Sequence, residues 1–84
     1  VSVTILYFAS LREALGRSEE HFDLPPGVVT VGALRESLCA RGGDWTALAP
    51  GKAVRAAVNQ ELAQAGAAIK DGDEIAFFPP VTGG

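Results

Sequence analysis

Glu74-Ile75-Ala76-Phe77-Phe78-Pro79-Pro80-Val81-Thr82-Gly83-Gly84 closes the chain and decides how the rest of it is read. Residues 74 to 78 predict a strand, with Ile75 and Phe77 on one parity and Ala76 and Phe78 on the other. Pro79 and Pro80 lack an amide hydrogen and fix φ near −65°, so the strand stops there. Two prolines in a row favour an extended spacer, and the six residues from Pro79 to Gly84 reach about 20 Å when fully stretched. Gly83 and Gly84 carry no side chain, which lets another protein's backbone close around them. The α-carboxylate is the leading chemical group. With an ordinary value of about 3.3–3.7 it is an anion at neutral pH and a poor electrophile, so acyl chemistry there needs activation by a partner.

Upstream, Asp71-Gly72-Asp73 is a turn signal, read with Glu74 as solvated charges rather than a calcium site. Residues 54 to 58 predict another strand, which Asn59-Gln60 turns into a short partner near Glu61 and Leu62. Val1 to Phe8 is rich in β-branched and aromatic residues and predicts the first strand. Val1, Val3, Ile5 and Tyr7 form its core face. Ser2, Thr4, Leu6 and Phe8 form a second face that begins polar and ends apolar.

Between these strands lie the helices. Ser10 and Glu13 have capping-box spacing ahead of a short helix that Gly16 ends, with Leu11 and Leu15 on one face. Residues 18 to 24 predict a second strand with Phe22 and Leu24 inward and His21 outward, a surface histidine without a second ligand. After the Pro25-Pro26-Gly27 turn, Thr30 caps a longer helix to about Arg41, with Val31, Leu34 and Leu38 as its buried stripe. Cys39 sits beside that stripe as an inert thiol. Residues 44 to 52 predict a connecting loop in which Trp45 and Leu48 plug one end of the core.

The order is strand, short helix, strand, long helix, then three short strands. This predicts an α+β fold with one mixed sheet and its helices packed on one face. The β-grasp arrangement fits best, because the first and last strands are the most apolar and suit parallel central neighbours. Residues 1–78 form the domain and 79–84 an extended C-terminal diglycine tail. If Ile5, Tyr7, Ile75 and Phe77 face the helices, then Leu6, Phe8, Ala76 and Phe78 face away, with nothing left to cover them. The parity predicts an exposed apolar patch at the root of the tail, and such patches mark partner surfaces. The alternative is that one phenylalanine folds over the sheet's edge.

The 84 residues are 48% hydrophobic and 20% charged, the composition of one small globular domain. No run approaches the about 18 apolar residues of a membrane span, and no secretion signal is visible. One cysteine makes no internal disulfide, so the cytoplasm is the expected compartment. A chain opening at Val1 suggests a removed initiator methionine. The net charge of −3 argues against nucleic acid and for a basic protein partner. No phosphate loop, nucleophile triad or metal spacing is present in the sequence. The chain reads as a carrier or binding module rather than an independent enzyme.

Tyr7-Phe8-Ala9 with Arg12-Glu13, Ala57-Val58-Asn59-Gln60, and above all the run from Asp71 to Gly84 carry a resemblance over nearly the whole length. The chain resembles the small subunit of molybdopterin synthase, the MoaD family of ubiquitin-like sulfur carriers. The resemblance implies a β-grasp fold and a cycle of reactions at Gly84. A ubiquitin-activating-enzyme-like adenylyltransferase (MoeB-like) would use ATP and magnesium to make the Gly84 acyl-adenylate. A sulfur donor protein would then give a C-terminal thiocarboxylate. The tail, Pro79, Pro80, Val81, Thr82 and Gly83, would insert into a large synthase subunit (MoaE-like) and deliver sulfur to a pyranopterin precursor. The resemblance also implies a heterotetramer, no cofactor or metal on this chain, docking through Phe8 and Phe78, and a polar rim contact at Arg12. A sulfur carrier for thiamine or cysteine biosynthesis, a protein modifier that forms isopeptide bonds, and a purely structural β-grasp module stand as rival readings.

Overall fold

A computed structural model describes residues 1–49 and 51–80. Five strands form one sheet: β1 (Ser2–Tyr7), β2 (Glu19–Asp23), β3 (Arg55–Val58), β4 (Glu61–Ala63) and β5 (Glu74–Phe78). Two α-helices, α1 (Ala9–Leu15) and α2 (Val31–Cys39), and a 3₁₀ helix (Gly43–Leu48) complete the domain. The strand order is β2-β1-β5-β3-β4, with β1 and β5 parallel at the centre and every other pair antiparallel. This is the expected β-grasp arrangement.

Strand alternation sets the core. Val3, Ile5 and Tyr7 from β1 and Ile75 and Phe77 from β5 are all buried on one face. Leu11 from α1, Leu34 and Leu38 from α2 and Leu48 from the 3₁₀ helix close over them in one cluster. Both helices therefore lie on the same side of the sheet. Val1, assigned to the core face by parity, is 75% exposed because β1 begins only at Ser2.

Helix α2 starts as its sequence dictates. The Thr30 hydroxyl accepts a hydrogen bond from the Ala33 amide at 3.2 Å. The amides of Val31 and Gly32 donate to the carbonyls of Ala67 and Ala65, at 3.0 and 2.8 Å, so the 65–67 segment seals the helix end. That approach favours glycine at 32, since a Cβ there would stand 3.1 Å from both the Cβ and the carbonyl oxygen of Ala65, a tight contact to which Ala65 would have to yield by a few tenths of an ångström.

Helix α1 starts differently from the expectation. Its N-cap is Phe8 in extended conformation with no side-chain cap, so the Ser10–Glu13 capping box does not form. The reason is that the Phe8 amide still donates to the Phe77 carbonyl, at 3.2 Å, which keeps residue 8 tied to the sheet. The chain then turns abruptly at Ala9, φ 52°, and Ser10 falls inside the helix. The other end is as predicted, with Gly16 in the left-handed region at φ 71°.

The stretch expected as a plain loop contains the 3₁₀ helix. Trp45 is half-buried and Leu48 fully buried, as foreseen. Arg35 on α2 holds the end of the 3₁₀ helix and the segment leading to β3. It donates to the carbonyls of Leu48, Ala49 and Lys52 at 2.6, 2.7 and 2.9 Å and to Val54 at 3.4 Å. The turn at Asp71 and Gly72 forms as expected, with Asp71 exposed, but one of its charges is not solvated. Asp73 is buried rather than solvated. It accepts from the Asn59 side chain at 3.0 Å and from the Lys70 amide at 2.9 Å.

Candidate functional site

The face of the sheet opposite the helices is built by register. Leu6 stands opposite Ala76, Ala76 opposite Ala57, and Ala57 opposite Leu62, an apolar row across β1, β5, β3 and β4. Glu19 on β2 continues the row opposite Leu6 and ends its apolar character. The same border carries His21, within 3.3 Å of the Thr4 hydroxyl and 3.9 Å of Glu19. It is an exposed surface histidine.

Phe8 and Phe78 stand at the end of this face from which the chain continues to Gly84. Phe8 is 45% exposed and Phe78 half-buried, while their neighbours Tyr7 and Phe77 are buried in the core. The expected apolar patch is therefore present at the root of the tail. Neither ring lies in the core. Arg12 is exposed one helical turn beyond Phe8, its amide donating to the Phe8 carbonyl at 3.4 Å. The sequence reading missed Leu62, which is 74% exposed and extends the patch to the sheet's edge. A signal for it existed. Asn59 and Gln60, both at positive φ, make a two-residue turn, which fixes the pairing and puts Leu62 on the same face as Phe78.

Pro79 and Pro80 leave β5 half-buried. Pro80 lines an open groove of about 490 Å³ with Gly32, Arg35, Val54, Ala56 and Ala63, where small side chains leave space between α2 and β3–β4. Val81, Thr82, Gly83 and Gly84, the rest of the expected arm and its reacting residue, lie outside the described residues.

Several ionisable groups of the domain are used internally. Tyr7 donates its hydroxyl to Glu20 at 2.9 Å, and Arg41 makes two bonds of 2.9 Å to the same carboxylate. Arg41 also covers the Trp45 ring at 4.4 Å. Burial pushes the Tyr7 hydroxyl well above its ordinary value, and the hydrogen bond to Glu20 adds to that. Burial by itself would raise Glu20, but the hydrogen bonds from Arg41 and Tyr7 and the nearby guanidinium charges outweigh it and hold the carboxyl low. Asp73 is held low chiefly by the Asn59 hydrogen bond. Among the described residues no group of three or more His, Cys, Asp or Glu side chains could hold a metal ion. No helix among them is long and apolar enough to cross a membrane. The geometry therefore presents an apolar row across the open face of the sheet and two half-buried prolines where the chain leaves β5.

Comparison with known proteins gives a consistent result. The ThiS family model matches residues 5–84. The molybdopterin synthase sulfur carrier subunit of Haemophilus influenzae is 45% identical over 83 residues, covering 98% of this chain and 99% of that protein. The molybdopterin synthase sulfur carrier subunit of Escherichia coli is 46% identical over 85 residues, again covering 98% and 99%. Among solved structures, small archaeal modifier protein 1 of H. volcanii superposes with a TM-score of 0.76 at 30% identity, covering 96% of this chain and 99% of that one.

Proposed function

Because the chain belongs to the ThiS family, we propose that it is the sulfur-carrier small subunit of a molybdopterin synthase. The observation that carries this reading is the near-complete, 45% identical alignment with a relative of that name. The sequence from Phe77 to Gly84, leaving a central strand beside an apolar face, supplies the physical means.

In this reading the Gly84 carboxylate attacks the α-phosphate of ATP on an activating, adenylyltransferase-type partner, with magnesium bound there, and pyrophosphate leaves. A hydrosulfide equivalent from a sulfur donor protein displaces AMP and leaves a C-terminal thiocarboxylate. Adenylation is needed because the free carboxylate is a poor electrophile. The thiocarboxylate is then a soft nucleophile on a long arm. Phe8, Phe78, Leu6 and Leu62 dock on the large synthase subunit, with Arg12 at the rim. Residues 79 to 83 carry the sulfur into that subunit's pocket, where confinement raises its effective concentration against the pyranopterin precursor. Two carriers' worth of sulfur complete a dithiolene. The cycle runs in the cytoplasm, where the single thiol, Cys39, stays reduced.

The test is the terminus itself. Deleting Gly84 leaves the melting temperature near the parent's and abolishes thiocarboxylate formation with the activating enzyme, ATP and a sulfur source, read by intact mass. Normal thiolation of the shortened chain would refute the reading. A second reading has one specific observation behind it, the similarity to a protein named as a modifier. A modifier would form isopeptide bonds between Gly84 and lysines, seen as a ladder of heavier conjugates instead of a single thiolated species.

A further inference from the structure

Arg35 carries a charge that the described residues leave without a counterion. It is half-buried on α2, and its guanidinium donates to the carbonyls of Leu48, Ala49, Lys52 and Val54. A guanidinium has five N–H donors, so these contacts leave one on Nη1. Carbonyl dipoles satisfy hydrogen bonds but do not cancel a charge, and a charge partly withdrawn from water gains from a counterion.

The same residue lines the groove of about 490 Å³ between α2 and β3–β4. Small residues make the room there, among them Gly32, Ala53, Ala63 and Ala65. Arg35 and Arg55 are the charged residues of the lining, and no Asp or Glu belongs to it. The carboxylates nearest in sequence do not fill the role. Glu36 follows Arg35 on α2 but is exposed, and Glu61 pairs with Val58, at the far end of β3 from Arg55. The amides at the start of α2 are spent as well, those of Val31 and Gly32 on Ala67 and Ala65 and that of Ala33 on Thr30. The groove thus offers small apolar walls and a positive charge. Its complement is a short segment with small side chains and a carboxylate.

Pro80, the last described residue, lines this groove too, and Val81-Thr82-Gly83-Gly84 follow it. Four residues reach at most about 14 Å, so the terminal carboxylate is tethered close to the groove. We propose that the groove is a seat for the chain's own C-terminus, in which Val81 and Thr82 pack on the alanines and the Gly84 carboxylate meets Arg35. The seat is filled when no partner holds the tail. A segment joined at the groove's edge has an effective concentration in the millimolar range, so weak intrinsic affinity is enough to seat it. That tether favours the chain's own tail over the tail of a second copy. Any partner that takes the tail draws it out against this internal competitor.

Nuclear magnetic resonance of the full, isotope-labelled chain without partners tests the seat. Nuclear Overhauser effects should connect the Val81 and Thr82 methyls with those of Ala53, Ala63 and Ala65. Converting the Gly84 carboxylate to an amide keeps every side chain and removes the charge. It should weaken the seat by about tenfold or more, the scale of a hydrogen bond between charged groups. The methyl contacts should then fade, and the Arg35 Nε–H and the Gly32 and Ala63 amides should shift, while the amides of β2 stay where they are. Absence of the methyl contacts in the parent, or an amidated chain identical to the parent at Arg35, would overturn the proposal. Contacts found only between labelled and unlabelled chains would overturn it in favour of a second copy's tail. No partner enters the experiment, so its failure leaves the carrier reading intact; that reading fails on the thiolation of the shortened chain instead.

Discussion

Tyr7 and Phe77 stand opposite each other on the two parallel central strands, their ring planes 18° apart and their centroids separated by 6.4 Å. Both are buried, and Trp45 closes edge-on against Tyr7 at 5.6 Å. This pair fixes which way their sequence neighbours point. Phe8 and Phe78 are turned out of the core because Tyr7 and Phe77 are turned into it.

The first consequence separates folding from docking. Phe8→Asp or Phe78→Asp should leave the isolated domain folded, with the larger fall in melting temperature for the half-buried Phe78. Docked, each ring removes apolar area worth roughly 1.5–3 kcal/mol before the costs of association. Either change should therefore weaken assembly with the large synthase subunit by about tenfold or more, since a charge would be buried without a partner. Tyr7→Asp or Phe77→Asp should unfold the domain. Circular dichroism melts and size-exclusion chromatography with the large subunit read both effects. If Phe78→Asp unfolds the chain while Phe77→Asp does not, the proposed docking face is the core.

The second consequence concerns pH. Glu20 and Asp73 are both held low in the folded chain, so each contributes stability that is complete above its unfolded value, about 4.3 for glutamate and 3.9 for aspartate. That stability is lost as pH falls through these values to the lower folded ones. Glu20→Gln should lower stability at pH 7 by about 1.5–3 kcal/mol, the scale of a hydrogen bond to a charged group. The gap between parent and variant should close below about pH 4. Tyr7 has the opposite sense, its neutral form being favoured by the fold, so the parent should lose stability above about pH 10 and Tyr7→Phe should lose less. Thermal melts across pH test both limbs. A gap for Glu20→Gln that stays constant from pH 7 to pH 3 would contradict the assignment.

These outcomes also mark what was legible in the sequence. Parity alone placed Tyr7 and Phe77 inside and Phe8 and Phe78 outside, because alternation is a local property of a strand. Thr30 was readable as a cap for the same reason: its hydroxyl reaches an amide only three residues away. The misreadings involve partners distant in sequence. The Ser10 capping box fails because Phe77 holds the Phe8 amide in the sheet. The 3₁₀ helix and the segment after it are gripped by Arg35 on α2. Asp73 is buried because Asn59, fourteen residues earlier, supplies its hydrogen bond.

The last prediction concerns the exit from the domain. Pro79 and Pro80 follow β5 directly, and Pro80 packs at the mouth of the groove between α2 and β3–β4. Replacing both with glycine removes two fixed φ angles at the point where the chain leaves the sheet. Each such change adds roughly 0.4–1 kcal/mol of conformational entropy that must be lost when the arm enters a pocket. Two together correspond to an affinity for the large synthase subunit about four- to thirtyfold weaker. The fold should persist, because Ile75 and Phe77 remain in place, although the half-buried prolines make a small drop in melting temperature expected. Isothermal titration with the large subunit should show the loss chiefly as a less favourable entropy, at a nearly constant number of sites. Binding as tight as the parent's, or tighter, would mean that the two prolines terminate β5 and do nothing for the arm.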